Sequence, residues 1–299
     1  MIRITDLTKR FDGKPAVDRL CATLPTGSVY GIVGSNGAGK STLLRLTAGV
    51  YKPDGGEIAL EGEPVYGNPA AKGKIAFLPD VPYFLPGADL ARMEGIYRRL
   101  FPDFDRDLFR RLADRLQFAR RDRVDALSAG RRRQLAAALT LARRAEAFLF
   151  DESFDGLDPV ARRLMKGLIC DKAAGGATVA VCSHSLRELE DLCDRLALLH
   201  KGVMVLEGDL DALRGDYFKI RAAFRDPYDQ SRFAGIELLA YGQQGSVCTL
   251  TARGDREETE ARIREMGPLL LEAAPLTLEE VFAIKMTQLG YDFSEGGEA

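Results

Sequence analysis

The chain is short of several things, and each shortage removes a class of function. It carries 42 Lys and Arg against 44 Asp and Glu, a net charge of −2. No global basic field recruits a nucleic-acid backbone. No apolar run approaches the ~20 residues needed to cross a bilayer as a helix, and the N-terminus lacks the pattern of a secretion signal. The five cysteines, Cys21, Cys170, Cys182, Cys193 and Cys248, are odd in number and show no C-x-x-C spacing. That pattern excludes a zinc knuckle or a disulfide framework and fits reduced thiols in a cytosolic protein. Only two histidines occur, His184 and His200. There is no internal repeat and no low-complexity segment. A length of 299 residues allows a sizeable core and two domains.

What is present is concentrated. The stretch YGIVGSNGAGKSTLLRLTAG runs from Tyr30 to Gly49. It joins an apolar strand pattern, a glycine-rich turn and an apolar helical pattern. Gly34 to Ser41 matches G-x-x-x-x-G-K-[ST], the phosphate-binding loop. Glycines allow the backbone to curl so that successive N–H groups point at an anion. The helix that starts there adds the positive end of its dipole. Lys40 reaches the β- and γ-phosphates, and the Ser41 hydroxyl ligates Mg²⁺. Gly34, Ser35, Asn36, Gly37, Ala38, Gly39, Lys40, Ser41 and Thr42 are therefore expected to hold a nucleoside triphosphate.

Other segments place further chemistry at strand ends. AEAFLFDE reads as a buried strand ending in Asp151 and Glu152. In P-loop ATPases an aspartate there orders Mg²⁺ beside the loop serine, and the next carboxylate polarises the attacking water. GATVAVCSH is a second buried strand that puts His184 at its end, within reach of a γ-phosphate. His200 lies at a hairpin end and reads as structural or exposed. Ser128 is a natural N-cap for the helical pattern after LSAGR, and that helix start presents a second set of N–H groups. A nucleotide held by a second copy of the chain would use it; an ordinary capped helix fits the spacing equally well.

The organisation follows the same pattern. Residues 1–30 alternate apolar and polar around a turn at FDGKP, GGEIALEGEPV reads as a strand pair, and KIAFLPD as a strand ending at Pro79-Asp80. From about 88 to 145 aliphatics recur at helical spacing among many arginines, which predicts a helical insert with a solvated basic face. Alternating strands and helices imply a mainly parallel sheet wrapped by helices. Gly215 marks an expected boundary, giving domains at 1–215 and 216–291 and a disordered tail at 292–299. The second domain reads as a small βαβ-type unit with a polar helix closed by Gly267 and a capping box at Thr277-x-x-Glu280.

In order, the chain carries GSNGAGKST, LSAGR, FLFDE, GLDP and a strand-end SH. Over residues 1–215 this resembles the nucleotide-binding subunit of an ATP-binding cassette (ABC) transporter. The resemblance implies an α/β P-loop NTPase fold with a mainly parallel core sheet, an antiparallel β subdomain, a helical insert and a small α+β C-terminal domain. It implies ATP hydrolysis with Mg²⁺, coupled to transport by a separate polytopic membrane subunit, at the inner face of the cell membrane. Two subunits, identical or not, would sandwich two ATPs, each between the phosphate loop of one copy and the Ser128, Ala129 and Gly130 stretch of the other. Phe11 would stack on adenine, Asp158 would lie in the loop coupling the two sites, and Glu152 would be the catalytic base. Asp80 stands where the family has glutamine and would touch Mg²⁺ and the attacking water. Further departures are LSAGR for LSGGQ, where Ala129 adds a methyl at a point of backbone approach to phosphate and Arg131 adds a cation, and Ser153 for proline. Such features, with the tail LTLEEVF…LGYD, are similar to drug-resistance and antibiotic-export cassettes and imply an exporter with slow or partner-dependent hydrolysis. A soluble ABC-type switch acting on ribosomes or DNA is the alternative; one cassette without coiled coils or zinc modules weighs against it, and no nucleic-acid partner is expected.

Overall fold

Period-two patterning makes the first sheet. Strand β1 (Ile2–Phe11) and strand β2 (Lys14–Leu24) alternate buried and exposed residues and pair antiparallel, Ile2 opposite Leu24 and Phe11 opposite Lys14. The turn between them is Asp12-Gly13, with φ of 49° and 79°, the left-handed pair that a tight hairpin demands. Strand β4 (Gly55–Leu60) adds to β1, and β5 (Glu63–Pro64) closes the order β2-β1-β4-β5. The computed structural model describes residues 1–214 and 217–288. The chain divides into two compact units, Met1–Gly208 and Asp209–Ala299.

The second sheet of the first unit holds five largely buried strands and, at one edge, a partly exposed one. They are β3 (Val29–Val33), β6 (Ile75–Leu78), β7 (Ala147–Asp151), β8 (Thr178–Ser183), β9 (Arg195–His200) and β10 (Val203–Asp209). Their order is β10-β9-β3-β8-β7-β6, and β9, β3, β8, β7 and β6 run parallel. Continuous apolar runs such as AFLFD suit strands covered by helices on both sides. Helix α1 (Lys40–Thr47) leaves β3, the short α2 (Pro69–Gly73) precedes β6, α6 (Pro159–Ala174) follows β7, and the short α7 (Leu186–Glu190) follows β8. The main core joins β1, β2 and β4 to the inner face of this sheet through Leu7, Leu20, Tyr30, Leu44 and Leu149.

Between β6 and β7 stand α3 (Leu90–Leu100), α4 (Arg106–Arg115) and α5 (Ala129–Leu141). Each starts at a side chain that accepts from its first turn: Asp89 from Arg92, Asp105 from Leu108 and Ser128 from Arg131. The insert is helical, as its periodicity predicts, but its arginines do not form one solvated face. Arg98, Arg99, Arg111 and Arg115 are exposed. Arg143 is 4% exposed and donates to the Ile75 carbonyl at 2.6 Å and to Asp103 at 3.0 Å. A buried guanidinium needs such partners, and here they tie the end of α5 to the start of β6.

The second unit opens with the short α8 (Leu210–Arg214) and is built on a four-stranded antiparallel sheet, order β12-β13-β11-β14, with β11 (Tyr217–Ala223), β12 (Leu238–Gln244), β13 (Val247–Arg253) and β14 (Leu270–Pro275). Strands β13 and β14 both run antiparallel to β11, so they are parallel to each other with β11 between them. Helix α9 (Arg256–Glu265) connects them, a split form of the βαβ unit. The sequence pattern missed β12 and β14. Their burial is shallow and irregular, so neither shows a clean period of two. The capping box is real: Thr277 N–H donates to Glu280, and Glu280 N–H donates to the Thr277 hydroxyl, at 3.0 and 3.3 Å, at the start of α10 (Leu278–Gln288). Gly215, LGYD and residues 292–299 lie outside the described residues.

Candidate nucleotide site

The parallel register brings four loops to one edge of the sheet. Val33 stands beside Ser183, Cys182 beside Asp151, and Phe150 beside Leu78. The residues after each strand therefore lie side by side, with strands ~4.8 Å apart. Those residues are the glycine loop after β3, His184 after β8, Glu152 after β7 and Asp80 after β6.

Glycine is required in the loop for two reasons. Gly37 and Gly39 have φ of 78° and 106°, a region closed to ordinary side chains. A Cβ on Gly34 would stand 2.4 Å from the Leu199 carbonyl oxygen, and one on Gly39 2.2 Å from that of Ala16. The loop is thus wedged between the β9 end and the start of β2. The Ala38 carbonyl also accepts from Gly202 N–H at 2.9 Å. Ser35, Asn36 and Gly37 are exposed, and Ser41 and Thr42 are partly buried. Lys40 is 5% exposed, and its Nζ donates to the Gly34 carbonyl at 2.6 Å. It also lies 3.2 Å from Glu152 Oε1.

The carboxylates after β7 have different surroundings. Asp151 is fully buried; Oδ1 accepts from the Ser41 hydroxyl at 3.0 Å, and Oδ2 is buried without a partner. Burial pushes its carboxyl above the usual range; Ser41 and Arg45 oppose this, while Glu152 and Asp80 add to it. An orphaned buried carboxylate oxygen beside a serine hydroxyl is the donor set a hard divalent cation uses. Glu152 sits at φ 45°, a left-handed conformation uncommon for a non-glycine residue and frequent at functional sites. Its Oε2 meets His184 Nδ1 at 2.9 Å and accepts from His184 N–H at 3.2 Å. That hydrogen bond, more than the bare charge, raises the His184 imidazole above its ordinary value. His200 ends β9 partly buried, on the other side of β3 from β8 and β7.

The start of α5 is exposed at Ser128 and Ala129. Ser128 Oγ accepts from Arg131 N–H at 3.3 Å. Gly130 has a packing reason: a Cβ there would lie 2.6 Å from the Gly156 carbonyl oxygen. The Arg131 guanidinium is engaged within its own chain. It donates to the carbonyls of Leu116 and Gln117 and lies 3.9 Å over the Phe118 ring, closing the end of α4. Three features escaped the sequence reading. Arg133 pairs with Asp80 at 2.9 Å, Gln134 donates to Asp158 at 2.9 Å, and Lys40 meets Glu152. In an arginine run with no acidic residue at helical spacing, only the helix phase hinted at such contacts. Asp158 also caps α6 by accepting from Ala161 N–H, the main cause of its lowered carboxyl pKa. Phe11 is 44% exposed and meets Tyr51 edge-on at 5.6 Å, so it is not a core residue.

The family described as ABC transporter matches residues 17–155. The chain is 31% identical over 287 residues to the ABC transporter ATP-binding protein YtrB of Bacillus subtilis (strain 168), spanning 95% of this chain and 98% of that one. It belongs to the ATP-binding subunits of ABC transporters. This ABC subunit is also 33% identical over 299 residues to the Nod factor export ATP-binding protein I of Burkholderia lata, covering 94% and 95% of the two chains. Among solved structures, the ATP-binding subunit of an ABC transporter superposes with a TM-score of 0.67 at 23% identity, over 72% of this chain and 92% of that one. A dimeric bacterial ABC transporter cassette gives 0.63 at 20% identity, over 71% and 99%. Those two likenesses bear on the fold, an ABC cassette. As a member of this family the ABC subunit hydrolyses ATP to power transport. Among the described residues no helix is long and apolar enough to cross a membrane.

Proposed function

We propose that the chain is the cytosolic motor of an exporter, bound at the inner membrane face to a separate polytopic membrane subunit, and that two copies enclose two ATPs. The observation that carries the chemistry is the line of contacts joining Lys40, Glu152 and His184 at 3.2 and 2.9 Å. The export proteins among its relatives favour the outward direction.

In this reading the loop N–H groups from Gly34 to Thr42 wrap the β- and γ-phosphates. Lys40 exchanges the Gly34 carbonyl for phosphate oxygen, and Phe11 stacks on adenine. Ser41 and Asp151, with Asp80 from the next strand, would hold Mg²⁺, which would offset the negative charge of the phosphates. Departure of Lys40 from Glu152 frees the carboxylate to take a proton from water. The water oxygen bonds to the γ-phosphorus as the bond to the β,γ-bridging oxygen breaks, leaving ADP and phosphate. His184 Nδ1–H orients Glu152, which leaves Nε2 for the γ-phosphate. The exposed helix start of the second copy, Ser128, Ala129 and Gly130, supplies the remaining N–H donors, and the Asp158 loop links the two sites.

Ser128→Arg tests the shared site. Monomer ATP binding should stay near wild type, while ATP-driven dimerisation and hydrolysis are lost, because the long side chain fills the space for the partner's γ-phosphate. Mixing Ser128→Arg with Lys40→Ala chains puts both defects in one composite site and leaves the other intact, so ATPase activity should partly recover. Full activity of Ser128→Arg alone, with no nucleotide-dependent change in light scattering, would refute the sandwich. Isolation in detergent from the native host should bring down a polytopic membrane protein; ribosomes or DNA in its place would overturn the exporter reading.

A further inference from the structure

Arg133 is the third arginine of the run at the start of α5, and it faces the strand-end loops. Its side chain is 18% exposed. Nη2 donates to the Asp80 carboxylate at 2.9 Å and to the Asp80 carbonyl at 3.1 Å. Nη1 donates to the Asp155 carbonyl. Nε is buried with no partner, so among the described residues these two loops alone accept from this guanidinium. Gly130 packs on the Gly156 backbone, and Gln134 holds Asp158. The first turn of α5 thus grips the 155–158 turn at several points, but only Arg133 also reaches Asp80. The chain beyond Asp80 has little packing of its own: Val81 and Tyr83 are 79% and 78% exposed, and full burial resumes at Ala88.

We propose that Arg133 is a positioning residue that ties Asp80 and the Asp155 turn to the start of α5, and so governs whether the carboxylate after β6 is held in an ion pair or free for a metal. The planar fork of arginine makes this possible. Its donors point in two fixed directions and bridge two loops, which a lysine ammonium does with poorer geometry. Asp80 carries the charge that Arg133 answers, so the two side chains act as one device. The tie itself rests on contacts alone; its consequence for the metal rests on the reading of Asp80 proposed above.

Hydrogen exchange on the full, nucleotide-free chain reads the tie directly. Arg133→Ala should speed amide exchange about 2–5-fold in both 79–87 and 153–158, the scale of losing a part-exposed ion pair. Asp80→Asn should loosen only 79–87. Arg133→Lys should restore protection at 79–87 more than at 153–158. Mg²⁺ titration of a fluorescent ATP analogue gives a second reading. Arg133→Ala frees Asp80 and should lower half-saturating Mg²⁺ by about 2–5-fold, and this shift should vanish in the Asp80→Asn background. Unchanged exchange in a folded Arg133→Ala protein overturns the tie, and a Mg²⁺ shift that persists without Asp80 overturns the coupling to metal. If Arg133→Ala does not fold, Arg133→Lys and Asp80→Asn decide by the same measurements. Failure of the wild type to bind the analogue would count against the nucleotide reading, with the exchange result still decisive for the tie.

Discussion

Two helices of this chain present their N-termini beside the loops that carry the chemistry, and they are built in opposite ways. Helix α1 has no side-chain cap; it begins at Gly39, whose φ is 106°, and closes at once over Lys40, which is 5% exposed. Helix α5 is capped by Ser128 and is exposed at its first residues. The first start is wedged into the sheet by contacts to Ala16 and Leu199, while the second rests on a loop turn at Gly156. An anion site needs donors, charge and enclosure. Helix α1 has all three from its own chain. Helix α5 has donors only, since Arg131 is spent on the end of α4. A complete site and a half-site thus follow from where one cation points and what covers each helix end.

The largest expected effect tests the complete site. Glu152→Gln should slow hydrolysis by roughly 10²–10⁴-fold, the scale of losing a general base, with ATP binding kept and an ATP-bound dimer accumulating in size-exclusion runs. Wild-type turnover would remove Glu152 from the chemistry. Next, Lys40→Ala should weaken ATP binding by about 10–100-fold, as expected for one charge-assisted hydrogen bond. Ser128→Ala at the other helix should leave monomer affinity unchanged. Equal losses in equilibrium binding would erase the distinction between the two helix starts.

Glycine gives a smaller contrast. Gly130→Ala meets a backbone oxygen at 2.6 Å, whereas Gly37→Ala meets open space at φ 78°. Urea melts should show a loss of about 1–3 kcal/mol for the overpacked site and about 1–2 kcal/mol for the left-handed one. The two should separate in function: Gly130→Ala should disturb dimerisation, and Gly37→Ala ATP affinity. The reverse assignment would break the comparison. The smallest effect is a titration. With only two histidines in the chain, proton NMR resolves each ring. His184 should titrate above its ordinary 6.5, and Glu152→Gln should bring it down. Because the folded-state value is raised, this contact stabilises fully below the unfolded-state pKa and is lost as pH rises through the folded one. A midpoint unchanged by Glu152→Gln would mean that the pair does not persist in solution.

The sequence by itself determined the cassette's local parts. The glycine loop, the strands ending at Asp151 and His184, the Ser128 cap and the Thr277 capping box are each written within a few consecutive residues, because backbone dihedrals, strand burial and helix caps are short-range physics. It also determined the family, since five such parts occur in one order. Only the tertiary structure decided where the cations and carboxylates meet. Arg131, Arg132 and Arg133 are chemically alike in the sequence, yet the ~100° step between helix neighbours sends the first to α4, leaves the second exposed and turns the third onto Asp80. Asp80 reads as a strand end and is also an ion-pair partner; Gly130 reads as a motif letter and is also a packing contact with Gly156. Periodicity reports which face a side chain occupies; what stands opposite that face is settled by residues far along the chain, brought there by the order of strands in the sheet.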